Sequence, residues 1–595
     1  MPGPGDRGGK KEKPQNAKGA LRRLLQYILP FRWQMLLFCL CALLSNLGSL
    51  LGPKLAGHAI NAAAAGAGQV DFPLVLHYAL QMLLVYVFSV LLSFIVNIGM
   101  VRLSRRVAEK MRGDVFDKLM RLPVSYFDRH QTGDIISRVS YDIDVISTSL
   151  GTDIVQIMTS IVTVVGSFLM MCSISLPLVS CMLITIPLSL FYTRRMAKKT
   201  RPLYSKRSAA YGKMNGFVEE KFSGQKTILA YAYEGGVAGE FDEINHQAAE
   251  AYYEADKLGS QMGRSVNFIN NFGLALIGLV GALLYAGGRV SLGNISSFVL
   301  YSRKFSGPIN EIANIANEIL SALSASERVF ALLDAQEELP DAKNAQVLTQ
   351  VQGHVEMRDV SFGYVPGTIV LKDLNLKAAP GQTIAIVGAT GAGKTTIINL
   401  LMRFYDVNGG SIYVDSHEIR TLTRDSLRRS YAMVLQDTWV FRGTIYENIA
   451  YGKEGATREE VEAAAKAAHI HNYIMRLPQG YDTVISEDGG NISKGQKQLL
   501  TIARAMLYGT SMLILDEATS NVDTNTERQV QQAMRSLMKG KTCFVIAHRL
   551  STIQNADRIL VVNHGDVVEQ GTHESLMALN GFYRKLYEAQ FDSVS

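Results

Sequence analysis

Long runs of apolar residues in the first half of the chain place the strongest limit on how it can fold. A helix needs about 20 mostly apolar residues to cross a bilayer. Runs near that length occupy residues 33–51, 76–99, 154–171, 176–191 and 268–286. A further run at residues 295–323 is less apolar and contains Arg303, Lys304 and Glu311. The pattern predicts an α-helical membrane domain with six transmembrane helices.

The basic residues indicate how these helices are oriented. The net charge is +7, and Lys and Arg cluster beside the apolar runs. They precede the first run and follow the second and fourth, whereas the connections in between carry almost none. Cytoplasmic flanks of membrane helices have this excess. We therefore expect a multi-pass protein of the cytoplasmic (inner or plasma) membrane, in contact with lipid, with both termini in the cytoplasm and no nucleic-acid partner.

Two long connections between the runs have helical patterns. Residues 101–152 and 193–267 contain too little Gly and Pro for loops, so we expect helices that continue the spans beyond the membrane. Short breaks at residues 122–132 and 222–226 predict the points at which these helices turn back.

The composition changes in the second half of the chain. Short β-rich runs alternate with helical ones, which is typical of an α/β domain with a largely parallel sheet. The expected organisation is a disordered basic tail at 1–20, a transmembrane domain at 21–335, a polar linker at 336–350 and the α/β domain at 351–595. The five cysteines lack metal-ligand spacing, which indicates buried thiols in a reducing setting.

A glycine-rich segment of the α/β domain matches the phosphate-binding pattern G-x-x-x-x-G-K-[ST]. It follows the apolar run 383–387 and opens a helical pattern, which is the context that the motif requires. Backbone N–H groups of such a loop surround phosphate oxygens, Lys394 would supply charge to the β- and γ-phosphates, and Thr395 would bind Mg²⁺. The predicted ATP-binding residues are Gly388, Ala389, Thr390, Gly391, Ala392, Gly393, Lys394, Thr395 and Thr396.

Other polar residues also follow apolar, strand-like runs: Gln436, the pair Asp516 and Glu517, and His548. Alone, the acidic pair is better explained as a cap on the next helix, and a single His at a strand end is more often structural. Carboxyl ends of parallel strands form the ligand-binding edge of an open α/β sheet. Beside the phosphate-binding loop, these residues therefore predict one nucleotide site. Asp516 would help to hold Mg²⁺, and Glu517 would be the general base for the attacking water.

This ordered set of motifs resembles an ABC-transporter ATPase, and the six-span region before it resembles the membrane domain of type I exporter half-transporters. The resemblance covers nearly the whole chain and rests on Tyr364, 388–395, Gln436, 492–496, 513–517, 520–523 and His548. It implies that two ATPase domains pair head to tail. Each ATP would lie between the phosphate-binding loop of one chain and the signature segment of the other, and hydrolysis would be coupled to transport.

The resemblance also implies roles for single residues. Tyr364 would stack on adenine, with a core aromatic residue in a strand as the alternative. Gln436 would contact Mg²⁺ and the attacking water, and His548 would contact the γ-phosphate. Asp523 would belong to the loop that crosses the dimer interface. The bends near residues 125–128 and 222–226 would dock on the ATPase domains.

The signature segment departs from the family pattern. The family has Leu-Ser-Gly-Gly-Gln, whereas this chain has Ile492, Ser493, Lys494, Gly495 and Gln496. Lys494 replaces a glycine near the phosphates, where a bulky side chain should disturb the close approach of the backbone. Such departures are common in exporters with two different subunits, so a heterodimer with a second ABC half-transporter is favoured over a homodimer.

Polar residues inside the spans are the candidates for a translocation path. They are Arg303, Lys304, Glu311 and Asn270, with pairing or reach to the membrane surface as the alternative. The leading hypothesis is ATP-driven export of amphipathic drugs, lipids or peptides by alternating access. The alternatives are an ATP-gated channel or regulator of the same architecture, a homodimeric lipid flippase, and a membrane-tethered P-loop enzyme such as a kinase.

Overall fold

The structure is a computed structural model that describes residues 16–64, 70–436, 438–486, 490–517, 524–547 and 550–591. The chain separates into two compact units. The first comprises residues 1–122 and 130–336, and the second comprises residues 123–129 and 337–595.

The helices of the N-terminal half are mostly very long. They are α1 (Ala17–Ile28), α2 (Arg32–Ala63), α3 (Phe72–Leu119), α4 (Val124–Arg129), α5 (Thr132–Ser137), α6 (Ile143–Thr148), α7 (Ile154–Ile174), α8 (Leu176–Ser223), α9 (Gln225–Ala230), α10 (Glu234–Ala286) and α11 (Leu292–Leu333). Helix α4 belongs to the second unit and the others to the first. Helix α2 packs against α3, α7 and α11, and α8 packs against α10.

Five helical segments of the described residues are long and apolar enough to cross a membrane. They are Ala17–Ala63, Phe72–Leu119, Thr132–Ile174, Leu176–Ser223 and Glu234–Ala286. The sixth expected span lies in α11, which is long enough at 42 residues but less apolar. The helical membrane fold is thus confirmed.

The long connections are also helical, as expected. Helices α3, α8 and α10 continue well past the apolar runs, and breaks in the helices occur at 120–123, 130–131, 224 and 231–233. Helix α1 begins at Ala17, inside the segment 1–20 that was expected to be a disordered tail.

The second unit contains the strands of the molecule. Its strands are β1 (Val355–Phe362), β2 (Leu371–Ala378), β3 (Thr383–Val387), β4 (Gly409–Val414), β5 (His417–Glu418), β6 (Tyr431–Val434), β7 (Gly443–Thr444), β8 (Val484–Ile485), β9 (Met512–Glu517), β10 (Thr542–Ala547), β11 (Arg558–Asn563) and β12 (Asp566–Gly571). Its remaining helices are α12 (Lys394–Leu401), α13 (Arg424–Arg429), α14 (Ile445–Ala450), α15 (Arg458–Ala467), α16 (His471–Ile474), α17 (Lys494–Tyr508), α18 (Thr524–Met538), α19 (Leu550–Gln554), α20 (His573–Leu579) and α21 (Phe582–Phe591).

A mixed sheet in the order β12-β11-β3-β10-β9-β6 forms the centre of the second unit among its described residues. All its neighbouring strands are parallel except β11 and β12. Strands β3 and β10 are almost wholly buried, as expected for central parallel strands covered on both faces. An antiparallel sheet in the order β2-β1-β4-β5 packs beside it, with a shared hydrophobic core. The predicted α/β fold is confirmed.

The cysteines are less uniformly buried than expected. Cys181 and Cys543 are buried, whereas Cys39, Cys41 and Cys172 are half-buried, and all five are free thiols. Burial raises the pKa of the Cys543 thiol to about 12.

Candidate nucleotide site

The central sheet brings the ends of four motif-bearing strands to one edge. In register, Val434 of β6 pairs with Leu515 of β9, and Glu517 of β9 pairs with Ala547 of β10. Ile546 of β10 in turn pairs with Ile386 of β3. Because these strands are parallel, their carboxyl ends meet at the edge where α/β sheets bind ligands.

The phosphate-binding loop begins directly after β3. A Cβ atom on Gly388 would lie 2.2 Å from the carbonyl oxygen of Val562, so a side chain does not fit there. Gly393 precedes α12 in a left-handed conformation with φ of 108°, which L side chains rarely adopt. Between them, Ala389 and Thr390 are exposed. The loop thus exposes backbone N–H groups next to the start of a helix, which favours phosphate.

Lys394 lies mostly inside this loop. Its side chain folds back so that Nζ donates to the carbonyl oxygens of Gly388, at 2.7 Å, and Ala389, at 3.0 Å. Burial lowers the pKa of the ammonium, and the negative charge of Asp516 opposes that shift. The Lys394 ammonium and the Asp516 carboxylate therefore interact electrostatically, as a shared phosphate and metal site requires.

The oxygen donors around the loop fit Mg²⁺. Thr395 is exposed at the start of α12, Asp516 is half-buried near the end of β9, and Gln436 is exposed two residues beyond β6. Hydroxyl, carboxylate and amide oxygens are the hard ligands that Mg²⁺ binds, usually together with substrate phosphates. No cluster of three or more His, Cys, Asp or Glu side chains suits a metal elsewhere in the described residues.

Some predicted residues lie outside the described residues. These are His548, Asp523 and the rest of 520–523. Glu517 is the last residue of β9, but its side chain is also outside the description. The structure therefore places Glu517 at the end of β9, whereas the prediction for His548 is not tested.

Tyr364 lies beside the phosphate-binding helix. It stands two residues beyond β1 and is half-buried. Its hydroxyl donates to Thr396 Oγ1 at 3.1 Å and accepts from Asn399 Nδ2 at 3.2 Å. Its ring packs edge-on against those of Phe362 and Tyr405, each with a centroid distance of 5.0 Å. Sequence reasoning missed Asn399 and Tyr405, because neither follows a recognisable motif.

Helix α4 contacts the same aromatic group. Tyr405 donates a hydrogen bond to Asp128 Oδ2 at 2.5 Å, and Arg129 Nη2 donates to the Tyr364 carbonyl oxygen at 3.3 Å. Burial and the bond to Asp128 raise the pKa of Tyr405, so its hydroxyl remains a proton donor at neutral pH. The predicted bend at 125–128 therefore lies against the aromatic residues next to the phosphate-binding helix.

The signature segment opens a different helix of the same unit. Ser493 caps α17: its Oγ accepts from the Gln496 N–H at 3.3 Å, and its own N–H donates to Gln496 Oε1 at 2.9 Å. Lys494 is exposed as the first residue of α17, and Gly495 is buried. Among the described residues, no hydrogen bond or ion pair joins residues 493–496 to the phosphate-binding loop.

The candidate translocation residues of the first unit differ in exposure. Arg303 is exposed, Asn270 is half-buried in α10, and the Glu311 side chain lies outside the described residues. Lys304 is half-buried and donates to the carbonyl oxygen of Ser49 at 2.6 Å and to Ser49 Oγ at 2.7 Å. Its described hydrogen-bond partners are thus two uncharged oxygens of Ser49 in helix α2.

Comparison with known proteins identifies the family to which a chain with this fold and this nucleotide site belongs. Residues 35–309 match the ABC transporter transmembrane region, and residues 371–520 match the ABC transporter ATPase family. The chain belongs to the ABC transporter family, with a membrane domain and an ATPase domain in one polypeptide.

Several characterised and uncharacterised relatives are similar to this chain over most of its length. An uncharacterized ABC transporter ATP-binding protein of Bacillus subtilis, YfiC, is 42% identical over 584 residues, which are 98% of this chain and 96% of the relative. A fatty acid ABC transporter ATP-binding/permease protein of Mycobacterium bovis is 44% identical, covering 86% of this chain and 80% of the relative. An ATP-dependent lipid A-core flippase of Syntrophus aciditrophicus is 32% identical, covering 97% and 96%.

The architecture is likewise that of an exporter. A solved bacterial Atm1-family ABC exporter with ATP bound superposes with a TM-score of 0.73 at 29% identity, covering 94% of this chain and 98% of that one. The chain is therefore a multi-pass ABC exporter whose ATPase domain binds ATP and couples its hydrolysis to transport.

Proposed function

We propose that this chain is one half of a dimeric exporter that moves lipid-like amphiphiles out of the cytoplasmic leaflet of the membrane. The relatives named for fatty acids and for lipid A-core share its full architecture, which supports a substrate with a polar head and a long apolar part. The main support for ATP-driven transport is that the carboxyl ends of strands β3, β6, β9 and β10 meet at one edge of the sheet.

At this edge each residue has a distinct proposed task. Lys394 would release the loop carbonyl oxygens and bind the β- and γ-phosphates, and Tyr364 would stack on adenine. Glu517 would take a proton from the attacking water, while Gln436 and His548 would orient that water and the γ-phosphate. Mg²⁺ held by Thr395, Gln436 and Asp516 would neutralise charge that develops on the phosphates.

The signature segment would complete the site of a second chain. The exposed position of Ser493 and Lys494 at the start of α17 supports this arrangement, and Asp523 would lie in the loop between the two sites. Lys494, Ser493, Gly495 and Gln496 would face the phosphates of the partner's ATP. Because Lys494 replaces a glycine there, we favour a partner of different sequence, with a homodimeric flippase as the alternative.

The membrane orientation follows the charge pattern. We propose that both termini and the ATPase domain lie in the cytoplasm, with residues 21–335 as the transmembrane domain and 351–595 as the ATPase domain. Helix α4, whose Asp128 accepts a hydrogen bond from Tyr405, would carry the movement of the ATPase domains into the membrane helices.

Substitution Glu517→Gln tests the catalytic assignment. The amide keeps the size of the side chain but does not accept a proton, so we expect steady-state ATP hydrolysis to fall at least about a hundredfold. Binding of ATP should remain, since the loop residues are unchanged. The measurement is phosphate release by the purified transporter, with ATP affinity measured on the same preparation. Turnover near the wild-type rate would refute Glu517 as the general base.

A further inference from the structure

Helices α2 and α11 of the first unit are joined along one seam. The main-chain N–H of Gly293 donates to Asn61 Oδ1 at 2.7 Å, and Ser297 Oγ donates to the carbonyl oxygen of Pro53 at 2.7 Å. One turn further along α11, the Tyr301 hydroxyl donates to the Leu50 carbonyl oxygen at 2.6 Å. Lys304 makes the last of these contacts, because its Nζ donates hydrogen bonds to Ser49. Side chains of α11 therefore bind successive backbone carbonyl groups of α2.

The backbones themselves touch at one end of this seam. A Cβ atom on Gly293 would lie 1.9 Å from the carbonyl oxygen of Gly57, and one on Gly57 would lie 2.6 Å from that of Gly293. Close approach through glycine is a common way for membrane helices to associate. The register of α2 against α11 is therefore fixed by close backbone packing near Gly57 and by hydrogen bonds near Ser49.

Pro53 explains why α2 needs outside donors. It lies inside the helix, and proline has no N–H, so the carbonyl oxygen four residues earlier loses its intrahelical donor. That carbonyl belongs to Ser49, the group to which Lys304 Nζ donates at 2.6 Å. In a bilayer no water is present to replace the missing bond, and a neighbouring helix must supply it.

A charged donor suits this position. Hydrogen bonds from an ammonium group are stronger than those from neutral donors. The same group also bonds Ser49 Oγ at 2.7 Å, and no carboxylate of the described residues forms an ion pair with it. Among the described residues, Lys304 thus donates to the main-chain carbonyl oxygen of Ser49, which lacks an intrahelical donor, and to the side-chain hydroxyl of the same residue.

We propose that Lys304 is a positioning residue that fixes the register of α11 on α2 by supplying the hydrogen bond that Pro53 removes. This assigns Lys304 a partner inside the protein in place of a direct contact with substrate. The proposal concerns the membrane unit alone, and its failure would leave the catalytic role of Glu517 untouched.

The test is a double-substitution cycle in the full-length transporter in lipid nanodiscs. Lys304→Met keeps the length of the side chain without a donor and should lower the midpoint of thermal unfolding by about 2–4 °C. Pro53→Ala restores an N–H to residue 53, so the Ser49 carbonyl no longer needs the ammonium. The double variant should therefore recover more than half of the lost midpoint.

Matched variants separate this bond from a general effect of charge. Lys304→Arg retains donors and should stay close to the wild-type midpoint, and Lys54→Met, which removes an exposed lysine of α2, should leave it unchanged. If Lys304→Met does not fold, folding of the double variant supports the proposal and its failure to fold overturns it. Additive effects of the two substitutions would also overturn it.

Transport kinetics distinguish positioning from substrate binding. A positioning role predicts that Lys304→Met lowers the maximal rate while KM changes by less than about twofold. Pro53→Ala should then restore the rate. A large rise in KM that Pro53→Ala does not correct, with an unchanged unfolding midpoint, would make Lys304 a substrate ligand and refute the proposal.

Discussion

Single residues at the nucleotide edge are held by hydrogen bonds to their own unit. Lys394 binds two loop carbonyl oxygens, and Tyr364 is fixed through its hydroxyl by Thr396 and Asn399. Tyr364 is positioned before any ligand arrives, so its side chain would lose less conformational entropy on binding. Lys394 would instead exchange its two loop carbonyl partners for phosphate oxygens.

Tyr364 gives a test of adenine stacking. Tyr364→Ala should weaken ATP binding about tenfold, because stacking of a base on an aromatic ring contributes about 1–3 kcal/mol. Tyr364→Phe keeps the ring and loses the bonds to Thr396 and Asn399, so it should change the affinity less than about threefold. Calorimetric titration with Mg-ATP measures both. An unchanged affinity for Tyr364→Ala would make Tyr364 a core aromatic residue only.

For single residues, the sequence predicts those that lie at a fixed spacing within a motif. It does not predict residues that are distant in the chain and come into contact only in the folded structure. The phosphate-binding loop and the strand ends at Gln436 and Asp516 could be read because the motif and the strand pattern are local. The partners Tyr405 and Asn399 of Tyr364 could not. The bond from Lys304 to Ser49 also requires the register of two helices that are far apart in the chain.

Among the secondary-structure elements, the segment that joins the two halves is attached more firmly than its composition suggested. Residues 336–350 were expected to be a polar linker. Arg424 of α13 is 8% exposed and binds Leu339 through its carbonyl oxygen at 2.7 Å and Asp341 at 2.9 Å. The polar character of the segment thus reflects partly buried ion pairs with the rest of the ATPase unit, which no local pattern reveals.

Helix α13 offers a matched pair of substitutions that measures this attachment. Arg424→Ala should destabilise the ATPase unit by about 2 kcal/mol, because it removes the hydrogen bonds that a nearly buried guanidinium makes to the Leu339 carbonyl oxygen and to the half-buried Asp341. Arg429, whose side chain is 73% exposed in an ion pair with Asp425, should contribute less than about 1 kcal/mol when changed to Ala.

Denaturation followed by fluorescence of Trp439, in a Trp33→Phe background, reports on the ATPase unit, since the chain has two tryptophans. Equal effects of Arg424→Ala and Arg429→Ala would contradict the attachment of the linker.

The long helices illustrate what the sequence predicts well. Apolar runs of membrane length and helical connections with little Gly and Pro were sufficient to predict the spans, their extensions and the bends near 122–132 and 222–226. The sixth span was the hardest, because Arg303 and Lys304 reduce the apolar signal of α11. The structure gives Lys304 a role in helix packing, which explains how a charged residue is accommodated there.

For the whole molecule, the proposed dimer raises the question of which second chain would complete the ATP site. Lys494 stands at the first position of α17, and the first turn of that helix contains no acidic residue. A positive charge at a helix N-terminus is unfavourable by about 0.3–1 kcal/mol unless an anion lies nearby. The signature segment therefore places an exposed cation at a helix end where a nearby anion would be stabilising.

Purification of this chain alone tests the assembly. We expect any homodimer to hydrolyse ATP slowly and Lys494→Gly to raise the rate about tenfold, which corresponds to about 1.4 kcal/mol of activation free energy. Lys497→Ala, which removes a charge one turn further along α17, should have little effect. The measurements are oligomeric mass by light scattering and phosphate release. Fast hydrolysis by the unchanged chain would contradict the preference for a heterodimer.

The claim that this chain powers export is tested most directly by transport into inside-out membrane vesicles. A fluorescent long-chain fatty acid, or a lipid with a labelled head group, is supplied outside with Mg-ATP, with Glu517→Gln vesicles as the control. The account predicts uptake above the external concentration that requires hydrolysis and is absent in Glu517→Gln. Movement that only equalises the concentrations, and that ATP binding without hydrolysis sustains, would show an ATP-gated channel and contradict the account.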